Sequence, residues 1–171
     1  EEAIYVLEDT IRGIRNLFNN AKDLQGVIAK YMEEHDAMRK EIEKFSAQAV
    51  ERLKDSLVEK AKDVNGLKVV KAVLPINAEQ AKNLVFKVRE AIPQHLVCVV
   101  GSTANDKPLL SIMFSDDVVS EHGLNAGQII REAAKLIQGG GGGQPHYASA
   151  GGKNLDGISV AVDKAVELAC Q

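Results

Sequence analysis

The chain has 171 residues, 45% of them apolar and 4% aromatic with no Trp, which supplies a core for one extended domain or two small units and excludes a disordered chain. So few rings also exclude recognition by stacked aromatic platforms. The net charge of −3 lies in residues 1–64, with 11 basic and 14 acidic residues, whereas residues 65–171 hold 10 of each, so nucleic-acid binding by the second part has to be local.

Residues 1–64 contain no proline and keep a helical period throughout. Ile4, Leu7, Ile11 and Ile14 are spaced alternately by three and four. Leu17, Ala21, Leu24, Ile28, Tyr31, His35, Met38, Ile42, Phe45 and Ala49 continue in the same way. This 3.5-residue repeat puts one apolar stripe on each of two helices, as coiled-coil packing requires. Asn19-Asn20 is the turn between them, with Asn20 as an N-cap. The second helix is expected over about 21–63, roughly 65 Å long, and ended by Asn65-Gly66 as a left-handed C-cap. His35 falls on its stripe and reads as a tolerated core or register residue. Residues 1–64 are thus a coiled-coil hairpin arm.

From Leu67 to Leu74 the chain is β-rich, and Pro75 stops it. Asn77 caps a helix expected over about 78–91, ended by Pro93, with Ala81, Leu84, Val85 and Val88 facing inward. His95–Val100 reads as a buried strand, residues 101–108 as a polar turn, and Leu109–Phe114 as the returning strand. A helix over about 126–138, the run Gly139–Gly143 and a helix over about 157–169, capped by Asn154 or Asp156, complete the chain. The order β-α-β-β-α-loop-α predicts an α/β (α+β) fold, a small mixed sheet covered by helices over residues 65–171.

The run Gly139-Gly140-Gly141-Gly142-Gly143-Gln144-Pro145-His146, continuing to Gly151-Gly152-Lys153, is the least ordinary segment. Seven glycines in fourteen positions lose much conformational entropy on folding. Close approach of main-chain amides to a phosphate or sugar would compensate; a passive linker is the alternative. Walker and dinucleotide patterns both fail to fit. The start of the last helix is the favourable end for an anion, which the amides of residues 151–157 and Lys153 would hold. His146 is a further donor, and Arg131 with Lys135, four apart on one helix face, either extends a basic patch or belongs to a mixed solvated surface.

No catalytic set assembles. His95 and Cys98 are spaced H-x-x-C but fall on opposite faces of a strand, so Cys98 reads as core rather than as a metal ligand. Asp116-Asp117 lacks a third acidic partner and reads as a turn or helix cap. Two isolated cysteines imply a reduced, cytoplasmic protein without a disulfide framework. No stretch is long enough for a membrane span, so no membrane partner is expected. The start at Glu1 reads as that of a segment from a longer chain.

A glycine run after an apolar helix, then x-P-x-x-A-x-x-G-G and a final helix, resembles the DHHA1 domain. The wording GGGGGQPHYASAGGKN, with a coiled-coil arm before it, looks like the version that ends alanyl-tRNA synthetases. The resemblance implies a non-catalytic tRNA-binding region of an ATP-, magnesium- and zinc-dependent ligase. It would grip the outer corner of tRNA and couple aminoacylation to editing, needing no cofactor of its own. Together with the reading of the residues above, the candidate RNA contacts are Gly139–Gly143, Gln144, His146, Gly151, Gly152, Lys153, Arg131 and Lys135. Members commonly carry Arg or Lys immediately after the glycines, and Gln144 here removes that cation, which weakens phosphate affinity and its salt dependence. A homo-oligomerisation arm and the substrate lobe of a DHH-type phosphoesterase are the alternatives.

Overall fold

The computed structural model describes residues 1–171 and divides them into two compact units, Glu1–Phe45 and Ser46–Gln171. The first unit holds helix α1, Glu2–Leu17, and the start of α2, Leu24–Glu59. No residue of α1 is buried, and its stripe residues Ile4 and Leu7 are 60% and 61% exposed. α1 does not pack along α2, so the expected coiled-coil hairpin does not close within the chain and the stripe is left uncovered. On α2, Tyr31, Met38, Ile42 and Phe45 are exposed too, as is His35, which is thus no core residue here. Phe18 and Tyr31 meet at a ring-centroid distance of 5.4 Å. Asn19 and Asn20 both take left-handed φ, which makes them the turn. The N-terminal turn of α2 is then secured by Asp23, whose carboxylate accepts the Gly26 N–H at 3.0 Å, so the helix starts at Leu24 rather than near 21.

The second unit departs from expectation where α2 ends. The helix stops at Glu59, and Lys62–Val64 forms strand β1, paired antiparallel with β2, Leu67–Leu74. Asn65 and Gly66 have φ of 52° and 82° and turn the hairpin between Val64 and Leu67. Asn-Gly suits a helix end or a type I′ turn, and pairing along β2 decides for the turn.

Strand β2 leads through α3, Ala78–Ala91, to β3, Leu96–Ser102, which lies parallel to β2. Asn77 and Gln80 form a reciprocal capping box at the head of α3, a device that contributes about 1 kcal/mol. β3 runs on past Val100 through Gly101 and Ser102, and all seven of its residues are buried. Gly101 has no side chain because a Cβ there would lie 2.8 Å from Ile158 and 3.0 Å from Val162. His95 is left out of the strand with φ of 59°. The expected turn shortens to a single 3-10 turn, Ala104–Asp106, before β4, Leu109–Phe114. Asp116 and Asp117 open a helix, α4, Asp116–His122, which Gly123 ends in left-handed conformation.

Two further strands, β5 Gly140–Gly143 and β6 Tyr147–Gly151, complete a six-stranded mixed sheet in the order β1-β2-β3-β4-β6-β5. Side chains alternate across it. Val97, Val99, Leu110, Ile112 and Phe114 face α5, Ala126–Ala133, and α6, Ile158–Ala169. Leu96, Cys98, Val100 and Met113 face α3 and the end of α2, where Val50 and Leu57 are buried. Glu51 bridges these two helices, meeting Lys54 of α2 and Lys87 of α3 at 2.6 and 3.0 Å. The mixed sheet covered by helices is the expected architecture. No helix is long and apolar enough to cross a membrane.

Candidate nucleic-acid interface

The helix expected over 126–138 divides: α5 stops at Ala133, a 3-10 turn covers Ala134–Ile137, and Gln138 turns left-handed with φ of 52°. Beyond Gln138 the chain forms a hairpin rather than a loop. β5 pairs with β6 in the register Gly140↔Gly151 to Gly143↔Ala148, β6 pairs with β4, and the other side of β5 is the edge of the sheet.

Most of these glycines have a steric reason to be glycine. A Cβ on Gly139, Gly141 or Gly143 would strike the carbonyl oxygens of Gly151, Ser149 or Tyr147. Gly152 is held against the Ile137 carbonyl and Gly157 against that of Leu136. Backbone lying on backbone thus explains part of the glycine density without a ligand, which corrects the expectation drawn from entropy. Gly140 and Gly151 are different: a Cβ on either would meet only open space, and one on Gly142 only the Arg131 guanidinium, 3.8 Å away.

The tip of the hairpin is tied to the protein. Gln144 N–H donates to the Tyr147 carbonyl, Ala126 N–H to Pro145 and Phe114 N–H to His146, each at 2.8 Å. The Gln144 side chain is exposed and that of His146 is half-buried. Beside this end of the sheet, Asp117 accepts the His95 amide at 2.9 Å and lies 3.0 Å from its Nδ1. Burial alone would push the Asp117 carboxyl up, but hydrogen bonds from Ser115 and the His95 amide and the nearby imidazole hold it below the ordinary value. Cys98 is fully buried, and desolvation pushes its thiol up to about 12, which leaves it an inert core group.

The base of the hairpin opens into a groove of about 640 Å³, within the roughly 300–1,000 Å³ of small-ligand sites. Gly139, Gly140, Gly151, Gly152 and Lys153 form one side of it. Ile76, Asn77 and Ala78 at the head of α3, Ser102 at the end of β3, and Asn105, Lys107, Pro108 and Leu109 form the other. No carboxylate lines it, and neither Lys107 nor Lys153 forms an ion pair. The Ser102 hydroxyl is 1% exposed and has no hydrogen-bond partner. The groove lies at the carboxyl ends of the two parallel strands and the amino end of the helix between them, where open α/β sheets place their ligands.

The proposed amide cradle at the start of the last helix does not form. The amides of Gly152, Lys153, Asn154 and Gly157 donate to the carbonyls of Pro108, Ile137, Ile137 and Asn154, and are spent within the fold. Of the residues named from sequence, Gly139, Gly140, Gly151, Gly152 and Lys153 come together at the groove. Gln144 and His146 sit at the opposite end of the hairpin, about 14 Å away at strand spacing. Arg131 stands by Gly142, and Lys135 is paired with Glu132 at 2.9 Å, which dilutes the expected patch. Sequence reasoning missed Ser102, Lys107 and the head of α3. The β-α-β order around Asn77 was the available signal, since it marks where strand ends and a helix start meet.

No three His, Cys, Asp or Glu side chains converge anywhere in the chain. The family model of the DHHA1 domain matches residues 65–171. The chain belongs to the DHHA1 domain family. This DHHA1 chain is 46% identical over 169 residues to an alanine–tRNA ligase of Bacteroides thetaiotaomicron and 36% identical over 165 residues to one of Porphyromonas gingivalis. Those matches cover 99% and 96% of this chain but 19% of each relative, so it spans about a fifth of their length. Its fold matches the crystal structure of the C-Ala domain from Aquifex aeolicus alanyl-tRNA synthetase at 28% identity and a TM-score of 0.58, covering 65% of this chain and 98% of that one.

Proposed function

We propose that the chain is the non-catalytic, tRNA-binding C-terminal region of a cytoplasmic alanine–tRNA ligase, and that it grips the outer corner of tRNA so that aminoacylation and editing share one substrate. The observation that carries this reading is the carboxylate-free groove, where Lys107 and Lys153 stand unpaired beside the glycine hairpin. Two point cations and glycine main chain suit a sugar-phosphate backbone read by shape. ATP, magnesium and zinc belong, on this reading, to other parts of the ligase. The test is titration of labelled tRNA with the 171-residue chain. Saturable, salt-sensitive binding is expected, weakened by Lys153→Ala with folding unchanged. Affinity that survives Lys153→Ala together with Arg131→Ala and Lys135→Ala would refute the assignment of the site.

A second reading concerns the arm. Its exposed stripe, Ile4 and Leu7 on α1 and Met38, Ile42 and Phe45 on α2, suits self-association into a homo-oligomer. Sedimentation equilibrium of the whole chain should show an oligomer that Ile42→Glu with Phe45→Glu converts to monomer. A monomer at all concentrations would exclude it.

A further inference from the structure

The amides of Gly139, Gly152, Lys153 and Asn154 beside the groove are bonded within the fold, and further donors for a ligand lie on the opposite wall. That wall offers three. Ala78 begins the 14-residue helix α3 and lines the groove, and its amide has no acceptor in the chain, because the capping box uses only the Asn77 and Gln80 donors. Lys107 is exposed and unpaired at the end of the 3-10 turn. Ser102 is the independent observation: a buried hydroxyl with no partner, on β3's α3-facing side, lining the same groove. Buried polar groups are almost always paired, and three are unpaired here: Ser102 Oγ, Ser111 Oγ and Asp117 Oδ1. Of these, Ser102 Oγ alone belongs to a groove wall beside a helix amino end and two free cations, where an anion would accept from it.

We infer that this groove is a phosphate subsite. It holds one backbone phosphate of an RNA chain between the head of α3, the Ser102 hydroxyl, Lys107 and Lys153. The inference rests on the RNA-binding reading and sharpens it, because it moves the anion contact from the glycine amides to residues of the β2-α3-β3 unit. Helix dipole, hydroxyl donor and two ammonium groups all favour the same charge. Ile76, Pro108 and Leu109 give the groove an apolar wall for the attached ribose. The bare faces of Gly140 and Gly151, which no protein atom fills, admit the backbone beside the phosphate.

The experiment uses the whole chain and three variants. Lys107→Ala removes a cation from an exposed position. Gly151→Val fills the groove from a position whose added Cβ meets nothing. Ser102→Ala removes the orphan hydroxyl, and it should raise the melting temperature while weakening binding, a pair of effects that a purely structural serine would not give. Binding of tRNA is measured against salt, alongside amide chemical-shift titrations with inorganic phosphate, AMP and a short single-stranded RNA. The expected result is a roughly tenfold loss of tRNA affinity in Lys107→Ala with a salt slope shallower by about one, and a comparable loss in Gly151→Val. Phosphate and the short RNA should both shift the Ala78, Ser102 and Lys107 resonances.

Wild-type tRNA affinity in both Lys107→Ala and Gly151→Val would overturn the subsite and leave the RNA-binding reading standing. AMP binding as tightly as RNA would overturn the RNA chain as occupant in favour of a free nucleotide. Phosphate shifts at the groove without any tRNA binding would overturn the RNA occupant and the RNA-binding reading together.

Discussion

The two ends of the β5–β6 hairpin carry similar polar sequence and are built differently. At the tip, the Gln144, Pro145 and His146 main chain is bonded into neighbouring elements, and His95 with Asp117 secures the adjoining end of the sheet. At the base, the amides of Gly139, Gly152 and Lys153 are bonded as well, yet the facing wall carries an orphan hydroxyl, and two lysines around the groove lack partners. Asp117 Oδ1 at the tip end is unpaired too but lines no groove, whereas the unpaired Ser102 hydroxyl stands on a groove wall, where a ligand can use it.

The largest expected effect divides the glycines themselves. Gly139→Val and Gly141→Val drive a side chain into the carbonyls of Gly151 and Ser149, and should destabilise by about 3 kcal/mol or more in urea denaturation. Gly140→Ala should stay within about 0.5 kcal/mol of the parent, and equal losses at the three positions would erase the division. Next comes the base against the tip. Lys153→Ala should weaken tRNA binding about tenfold, the size of a charge-assisted contact of roughly 1.5 kcal/mol, in a filter-binding titration. The third concerns what secures the tip end. Asp117→Ala should lower stability by about 1 kcal/mol at neutral pH. Because the folded carboxyl titrates below its ordinary value, that contribution is fully present above the unfolded value near about 3.9 and is lost as pH falls through the folded one. The gap between wild type and variant should therefore close in acid; a gap constant down to strongly acidic pH would show that the ionised Asp117 carboxylate contributes nothing. Smallest of all, Gln144→Ala and His146→Ala should change tRNA affinity less than about twofold, since the tip lies away from the groove.

The legibility of each element in the sequence depends on the physics of its signal. Helices α3 and α6 and strands β2 and β4 stand close to where period, Asn77 and Pro75 put them, because those cues act within a few residues. Asn65-Gly66 misleads, since left-handed φ serves a helix end and a hairpin alike, and only pairing with residues beyond Gly66 separates them. Gly139–Gly143 misleads more deeply. A strand of glycine has no side-chain alternation to betray it, and the register with Ala148 and Ala150 becomes visible only once β6 is seated on β4. The arm's stripe is plain in sequence, but the pattern names a face and not what covers it. The groove escapes because Ser102 and Lys107, within one expected turn, acquire meaning only when the sheet brings them opposite Lys153.

The most direct measurement of the central claim is the salt dependence of tRNA binding by the 171-residue chain and by Lys107→Ala with Lys153→Ala. Binding is predicted at low ionic strength, with a logarithmic salt slope shallower by about two in the double variant. A folded chain that ignores tRNA at low salt, or a slope unchanged by loss of both lysines, would contradict it.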